Sequence, residues 1–384
     1  MKESEKHKSW TYNPMTDGVK WTEYCGERLE KIWNRIPNIL GHFLATVAIF
    51  AFGATLKGEW IVIMVHFLRQ MGKTVYTGNF EALSDIEKNL HLQNLFSFWI
   101  YSAIGSYSMY FVIGGFIHWY FYVRRRHKAH EWKIQPEKFL PPELELHEIF
   151  WGSLSLFICS IITGTLACYA SNDGPLLTIY YRWDEQGWWW LFLQIPAYFI
   201  YQDYTTYWLH RIYHFPFLYK RFHKLHHTYK QPTAFSVTAI HPVEIVHIQI
   251  TLLLPIFLIP IHWAPFYGVV LYSYYHAILD HSGVAFKAQW WQPWQPDASF
   301  HDNHHQYFHV NFGFNIKYWD TLHGTQRRKD RVYTEDTFYG VGKNLKDASK
   351  EELINDIRER QSENPLAYRD NKNEYVLTKN DLQN

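Results

Sequence analysis

Eight histidines in the second half of the chain fall into three tight groups. His210 and His214 are four apart, and His223, His226 and His227 form an H-x-x-H-H cluster. The same spacing returns as His301, His304 and His305. On a helix, positions i, i+3 and i+4 share one face, so each group offers its imidazoles to one cavity. A structural zinc takes about four ligands and a catalytic zinc about three from protein. Eight imidazoles exceed the needs of one ion and fit two. Imidazole suits iron, zinc, copper and nickel alike, so ligand type alone does not choose the metal. A redox metal beside a bilayer would oxidise a lipid chain, whereas zinc would imply hydrolysis. A membrane metal transporter is the non-enzyme alternative. Transporters set polar groups within their spans near the midplane. Here the clusters lie beyond span ends and the spans are poor in charge, which favours an enzyme.

The elements that position these groups are read from the apolar runs. The chain has 384 residues, 19% of them aromatic, with 18 Trp and 28 Tyr. Trp and Tyr collect at membrane interfaces, where an apolar ring with one polar atom sits best. The net charge of +1 gives no global field that would draw nucleic acid or an acidic partner. Mean hydropathy is slightly negative, which fits spans joined to a sizeable polar part. The 3 cysteines, Cys25, Cys159 and Cys168, have no C-x-x-C spacing, which argues against a zinc ribbon, an iron–sulfur site or a disulfide framework.

Apolar runs long enough to cross the hydrocarbon core fall at 39–56, 95–123, 148–170 and 188–209. Residues 245–276, broken by Pro255, Pro260 and Pro265, read as a bent helical hairpin, crossing or re-entrant. The expected fold is therefore all-α, a polytopic helical membrane protein of about 4–6 spans with a histidine-rich helical cap. Arg124, Arg125, Arg126 and Lys128 close the second run and place that end in the cytoplasm. The segment 171–187 is then lumenal, and everything from His210 on starts in the cytoplasm. The expected divisions are a cytoplasmic segment 1–38, spans and loops 39–187, a catalytic domain 188–325 and a polar tail 326–384. That tail reads as a solvated appendage, with a short helix opened by a capping box of Ser349 and Glu352. The N-terminus, MKESEKHKSWTYNPMTDGVK, lacks the apolar core of a signal peptide, so targeting is expected from an internal span.

With its three histidine boxes and the surrounding text WLHRIYH, LYKRFHKLHH, AIHPVE, DHSG, FHDNHH and WDTLHGT, the segment 188–325 resembles the sterol desaturase/fatty acid hydroxylase superfamily of membrane di-iron oxygenases. The resemblance implies two Fe ions on the cytoplasmic face of the endoplasmic reticulum membrane, with O2 as co-substrate. It carries the ligand role to His210, His214, His223, His226, His227, His301, His304 and His305. It adds His281 of DHSG, and His241 of IHPVE as a tenth ligand or a supporting residue. His247, His262 and His276 match no box. Asp280, Asp302 and Asn303 are candidates to hold the ligands' other ring nitrogens. The chain has no G-x-G-x-x-G loop and no His-Pro-Gly-Gly heme motif. Electrons from NAD(P)H are therefore expected through an external donor, cytochrome b5 and its reductase, with Lys220, Arg221 and Lys224 as basic residues facing it or lipid headgroups. Around Pro232, Thr233, Phe235 and His241-Pro242 the text is similar to sterol C5-desaturases, whereas FHDNHH and LHGT are nearer to C4-methylsterol oxidases and sphingoid-base hydroxylases. The expected activity is desaturation or hydroxylation of a lipid, foremost a sterol, with a sphingoid base or fatty acyl lipid as the alternative.

Overall fold

The computed structural model describes residues 87–338 and 340–368, with 31–32, 35–37 and residue 40. Apart from residue 40, the expected span at 39–56 lies outside the described residues, as does Cys25. What is described is mainly helical. Helix α1 (Leu95–Arg124) and helix α2 (Pro142–Ser171) are long and apolar enough to cross a membrane. Pro142 opens α2 at its first turn, with Glu143 and Glu145 beside it. There a missing N–H costs nothing and negative charge suits the helix dipole.

These two helices are inside out by the standard of a water-soluble core. Phe96, Ile104, Phe150 and Phe157 are exposed, while Ser102, Ser106, Ser155, Ser160 and Glu148 are buried. Such an arrangement suits lipid surroundings, where small and polar residues bring helices together. Ser102 and Thr163 hydrogen-bond across the pair at 2.6 Å. A Cβ on Gly164 would stand 2.9 Å from the Phe98 carbonyl oxygen, so the close approach of α1 and α2 depends on that glycine.

Helix α3 (Trp188–Tyr213) is long enough to span but turns Gln194, Gln202, Asp203 and His210 inward. The expected hairpin is helix α4 (Pro242–Leu253), a short turn Pro255–Leu258, and helix α5 (Trp263–His281). At 12 residues, α4 is about 18 Å long, well short of the roughly 30 Å hydrocarbon core. The loops before α3 and α5 are tied by a two-residue parallel pair, Ile179 to Ile261 and Tyr180 to His262.

Between α3 and α4 the chain runs through a short helix, Pro216–Arg221, and two 3-10 segments, His223–Thr228 and Ala234–Thr238. Helix α1 is widened to π turns at Tyr110–Gly114 and His118–Arg124, where it wraps this segment. Tyr110 donates its hydroxyl to the Phe235 carbonyl at 3.0 Å. On the other side, the Glu148 carboxylate accepts from the Thr233 N–H and from the hydroxyls of Thr233 and Ser236. An extended loop then leads to helix α6 (Ser299–Tyr307) and helix α7 (Tyr318–His323).

The C-terminal part is not a free appendage. Helix α8 (Lys350–Gln361) begins with the expected capping box of Ser349 and Glu352. Beyond it, Glu363 accepts from Tyr307 on α6 at 2.8 Å and pairs with Arg327 at 3.4 Å, all buried. Tyr368 and Arg327 both donate to Asn303 Oδ1. Asn364 bonds the backbone at Ile134 and Lys133. Among the described residues of this region, Arg327, Asp356, Arg360, Glu363 and Asn364 are polar and buried.

Candidate metal centre

Nine buried histidines converge at the ends of α3 and α5. His210, His214, His223, His227 and His304 form one group and His226, His281, His301 and His305 another. Within each group the ligand atoms lie within 4.8 Å of one another. His210 ends the last turn of α3 and His214 caps it; His281 ends α5. The two H-x-x-H-H boxes are each divided. His223 and His227 serve the first group while His226 serves the second; His304 serves the first while His301 and His305 serve the second.

The hydrogen bonds fix which nitrogen is free. Carbonyl and carboxylate oxygens only accept, so a ring nitrogen bonded to one must carry the proton. His210 Nδ1 donates to the Phe312 carbonyl at 2.9 Å, His281 Nδ1 to Ala277 at 2.7 Å and His304 Nδ1 to Val310 at 2.6 Å. His226 Nδ1 points at the Ala239 carbonyl at 3.4 Å. His223 Nδ1 donates to Glu244 at 2.7 Å. His309 donates Nε2 to the Glu335 carbonyl at 2.7 Å, which leaves its Nδ1 to accept from His214 Nδ1 at 2.9 Å. Each of these six ligand candidates therefore keeps a lone pair on Nε2.

The Nε2 atoms of these rings, with those of His227 and His301, crowd one another; for His226 and His281 both lone pairs are fixed on Nε2. Nε2 of His227 lies 3.2 Å from Nε2 of both His214 and His223, and Nε2 of His281 lies 3.3 Å from that of His226 and 2.9 Å from that of His301. Facing lone pairs repel unless a cation lies between them. Neighbouring ligands at right angles on a first-row metal, with bonds of about 2.1 Å, stand about 3 Å apart. The donor set thus fits metal ions. Burial, and then mutual repulsion among the rings, holds His214, His226, His227, His301, His304 and His305 well below the ordinary imidazole range. They are therefore neutral, as ligation requires.

The carbonyls that orient these rings are themselves held. Asp320 accepts from the N–H groups of Phe312 and Gly313 at 2.8 and 2.7 Å and from the Thr325 hydroxyl, fixing the loop that meets His210. Phe308 and Asn311 take left-handed conformations, φ 64 and φ 53, which turn the chain out of α6 so that Val310 meets His304.

His241 stands outside both groups. Its Nδ1 accepts from the Val243 N–H at 3.2 Å as the N-cap of α4, and its ring packs against Phe222 and Trp151. His247 pairs with the Tyr213 hydroxyl, His276 with Gln292, and His262 caps α5. Asp302 accepts from Gln135, and Asn303 from Arg327 and Tyr368. Asp280 is buried in α5. The carboxylate that does hold a ligand candidate is Glu244, and the other support is His309. Neither was singled out from sequence, although Glu244 closes the IHPVE run. Of the basic residues, Lys224 pairs with Glu335 at 2.6 Å and Arg221 lies over the Phe217 ring.

From the histidines a cavity of about 280 Å³ runs between the helices. His210, His223, His226 and His281 form part of its wall; Leu156, Ile245, Leu252, Phe266 and Leu271 line its apolar remainder.

Residues 195–325, which contain both histidine groups, match the family described as fatty acid hydroxylase. Over 217 residues the chain is 27% identical to a Delta(7)-sterol 5(6)-desaturase of Gibberella zeae, covering 56% of this chain and 64% of that one. It is 31% identical over 147 residues to a probable Delta(7)-sterol 5(6)-desaturase of Neurospora crassa, covering 38% and 42%. To the lathosterol oxidase of Mus musculus it is 30% identical over 139 residues, covering 36% and 46%. The chain thus spans between two fifths and two thirds of the length of these relatives. No solved structure matches.

Proposed function

We propose that this chain is an O2-dependent membrane oxidoreductase that holds two iron ions and desaturates or hydroxylates a lipid, foremost a sterol. One observation carries the reading: two groups of buried imidazoles lie together, and His210, His223, His226 and His281 of them line a largely apolar cavity. The cavity would hold a lipid chain beside the imidazoles, as C–H oxidation requires. The match to the fatty acid hydroxylase family and to sterol desaturases supports iron and a sterol.

His210, His214, His223, His227 and His304 would hold one ion and His226, His281, His301 and His305 the other. Bound iron supplies the redox chemistry that activates oxygen. The protein's part is to bind the lipid in the cavity, keep water from the reacting carbon, and fix the imidazoles through Glu244, His309 and the backbone carbonyls. In desaturation two C–H bonds are lost and a C=C bond forms. O2 leaves as two waters, with two electrons and two protons drawn from a donor. We assign that donor to cytochrome b5 and its NAD(P)H reductase, reached from the cytoplasm, and the protein to the endoplasmic reticulum membrane with about 4–6 spans. The Arg124–Arg126 run, the inside-out helices and the names of the relatives support these assignments.

The test is sterol and lipid profiling of cells lacking the protein, restored with wild type or His304→Ala. One precursor should accumulate and only wild type should reverse it. Rescue by the variant overturns the metal assignment.

A further inference from the structure

Helix α3 carries His210 in its last turn and α5 ends on His281, so both run the same way towards the histidine groups. Eight residues before each lies a polar residue on the cavity wall: Gln202 on α3 and Ser273 on α5. Eight residues are about 12 Å of helix, so the two share one depth, two turns from the histidines. Asn315 joins them, because its backbone N–H and its Nδ2 both donate to Asp203, the neighbour of Gln202. Between this level and the histidines stands Phe314, whose ring lies 5.1 Å from the rings of both His210 and His301.

The three residues share a second property. Gln202 Oε1, Ser273 Oγ and Asn315 Oδ1 are buried with no hydrogen-bond partner among the described residues. A buried polar atom without a partner costs about 1–3 kcal/mol, and apolar replacements would avoid that cost. Three such atoms, on the wall of one cavity at one depth, await a ligand group. Asp203 fixes the Asn315 amide, so Oδ1 is an acceptor and seeks a donor. Ser273 can both give and take. A hydroxyl satisfies both.

We infer that the cavity takes a lipid bearing a hydroxyl about two helical turns from the carbon to be oxidised, held by Gln202, Ser273 and Asn315. This rests on the reading of the cavity as a lipid oxidation site. A sterol that offers its first two rings to the histidines keeps its ring hydroxyl beside them. The oxygen held at this belt then lies on its side chain. The substrate class is therefore a side-chain-hydroxylated sterol or another lipid alcohol of matching reach.

The experiment uses the full-length, iron-loaded protein in phospholipid nanodiscs. Binding of a sterol with a hydroxyl at the end of its side chain is compared with binding of the same sterol without it. Wild type should prefer the hydroxylated sterol about tenfold, the worth of a well-made hydrogen bond. Gln202→Leu and Ser273→Ala should bring the ratio towards one. Both remove unpaired atoms, so neither should lower the thermal midpoint of the ligand-free protein. No preference in wild type, a preference kept by both variants, or a lowered midpoint in both overturns the inference. A wild type that shows the preference but oxidises neither sterol keeps the belt and overturns the oxidase reading instead.

Discussion

His223 Nδ1 donates to the Glu244 carboxylate at 2.7 Å, with only 2% and 3% of the two side chains exposed. The acid turns the ring's other nitrogen towards the neighbouring imidazoles and would raise its basicity as a metal ligand. Glu244→Ala should therefore weaken iron binding by about ten- to a hundred-fold. Glu244→Gln keeps an acceptor and should lose less. Iron retained against a graded chelator measures both, and equal retention in Glu244→Ala and wild type would refute the role.

His241 and His304 should behave differently although both are buried or half-buried histidines near the boxes. His241→Asn keeps a side chain able to cap α4 and should retain two irons per chain. His241→Ala should cost about 1 kcal/mol of stability from the lost cap and leave the iron in place. His304→Ala should lose iron. Metal analysis beside thermal unfolding separates the three, and iron loss in His241→Asn would restore it as a ligand.

Acid should destabilise the fold from about pH 6.5 downwards. His214, His226, His227, His301, His304 and His305 are held well below that range, and His309 is lowered to about 4. The unfolded chain takes up protons that the folded chain refuses, so their contribution is complete above the unfolded value and shrinks as pH falls. Asp302 and Asp320, both pushed up to about 6 by burial, act in the opposite sense between about 4 and 6. Burial raises Asp356 and Glu363 as well, and these four carboxyls do not offset seven imidazoles. Denaturant midpoints of metal-free protein at pH 7.5, 6.5 and 5.5, about one unit either side of the imidazole value, should fall in that order.

Glu363→Ala should destabilise by about 3 kcal/mol, because it removes the buried carboxylate that pairs with Arg327 and accepts from the Tyr307 hydroxyl. Tyr307 ends α6, which carries three histidines, so iron should loosen too. An unfolding midpoint and iron content equal to those of wild type would return residues 350–368 to the role of an appendage.

The metal site was more legible than the fold around it. Histidine spacing reports which side chains can meet, and the boxes did gather with His281. Their division between two groups was hidden because a shared helix face does not say which of two adjacent groups a ring joins: His301, His304 and His305 lie on one α-helix and still divide. Glu244 and His309 were hidden because a supporting contact has no spacing rule: one comes from α4 and the other from the turn after α6. The tail misled because charge was read as exposure, whereas Arg327 and Glu363 pair with each other in the interior. The apolar runs at 95–123 and 148–170 are legible as α1 and α2 because a spanning helix is written in one continuous stretch.

The division of the boxes also governs how the centre fills. The segments 223–227 and 301–305 each serve both groups. Ordering them around one ion leaves the second set of nitrogens already in register, so the entropy of arranging it has been spent once for both. Loading should be cooperative, with the half-filled protein a scarce species, and scavenging either ion should unseat its neighbour.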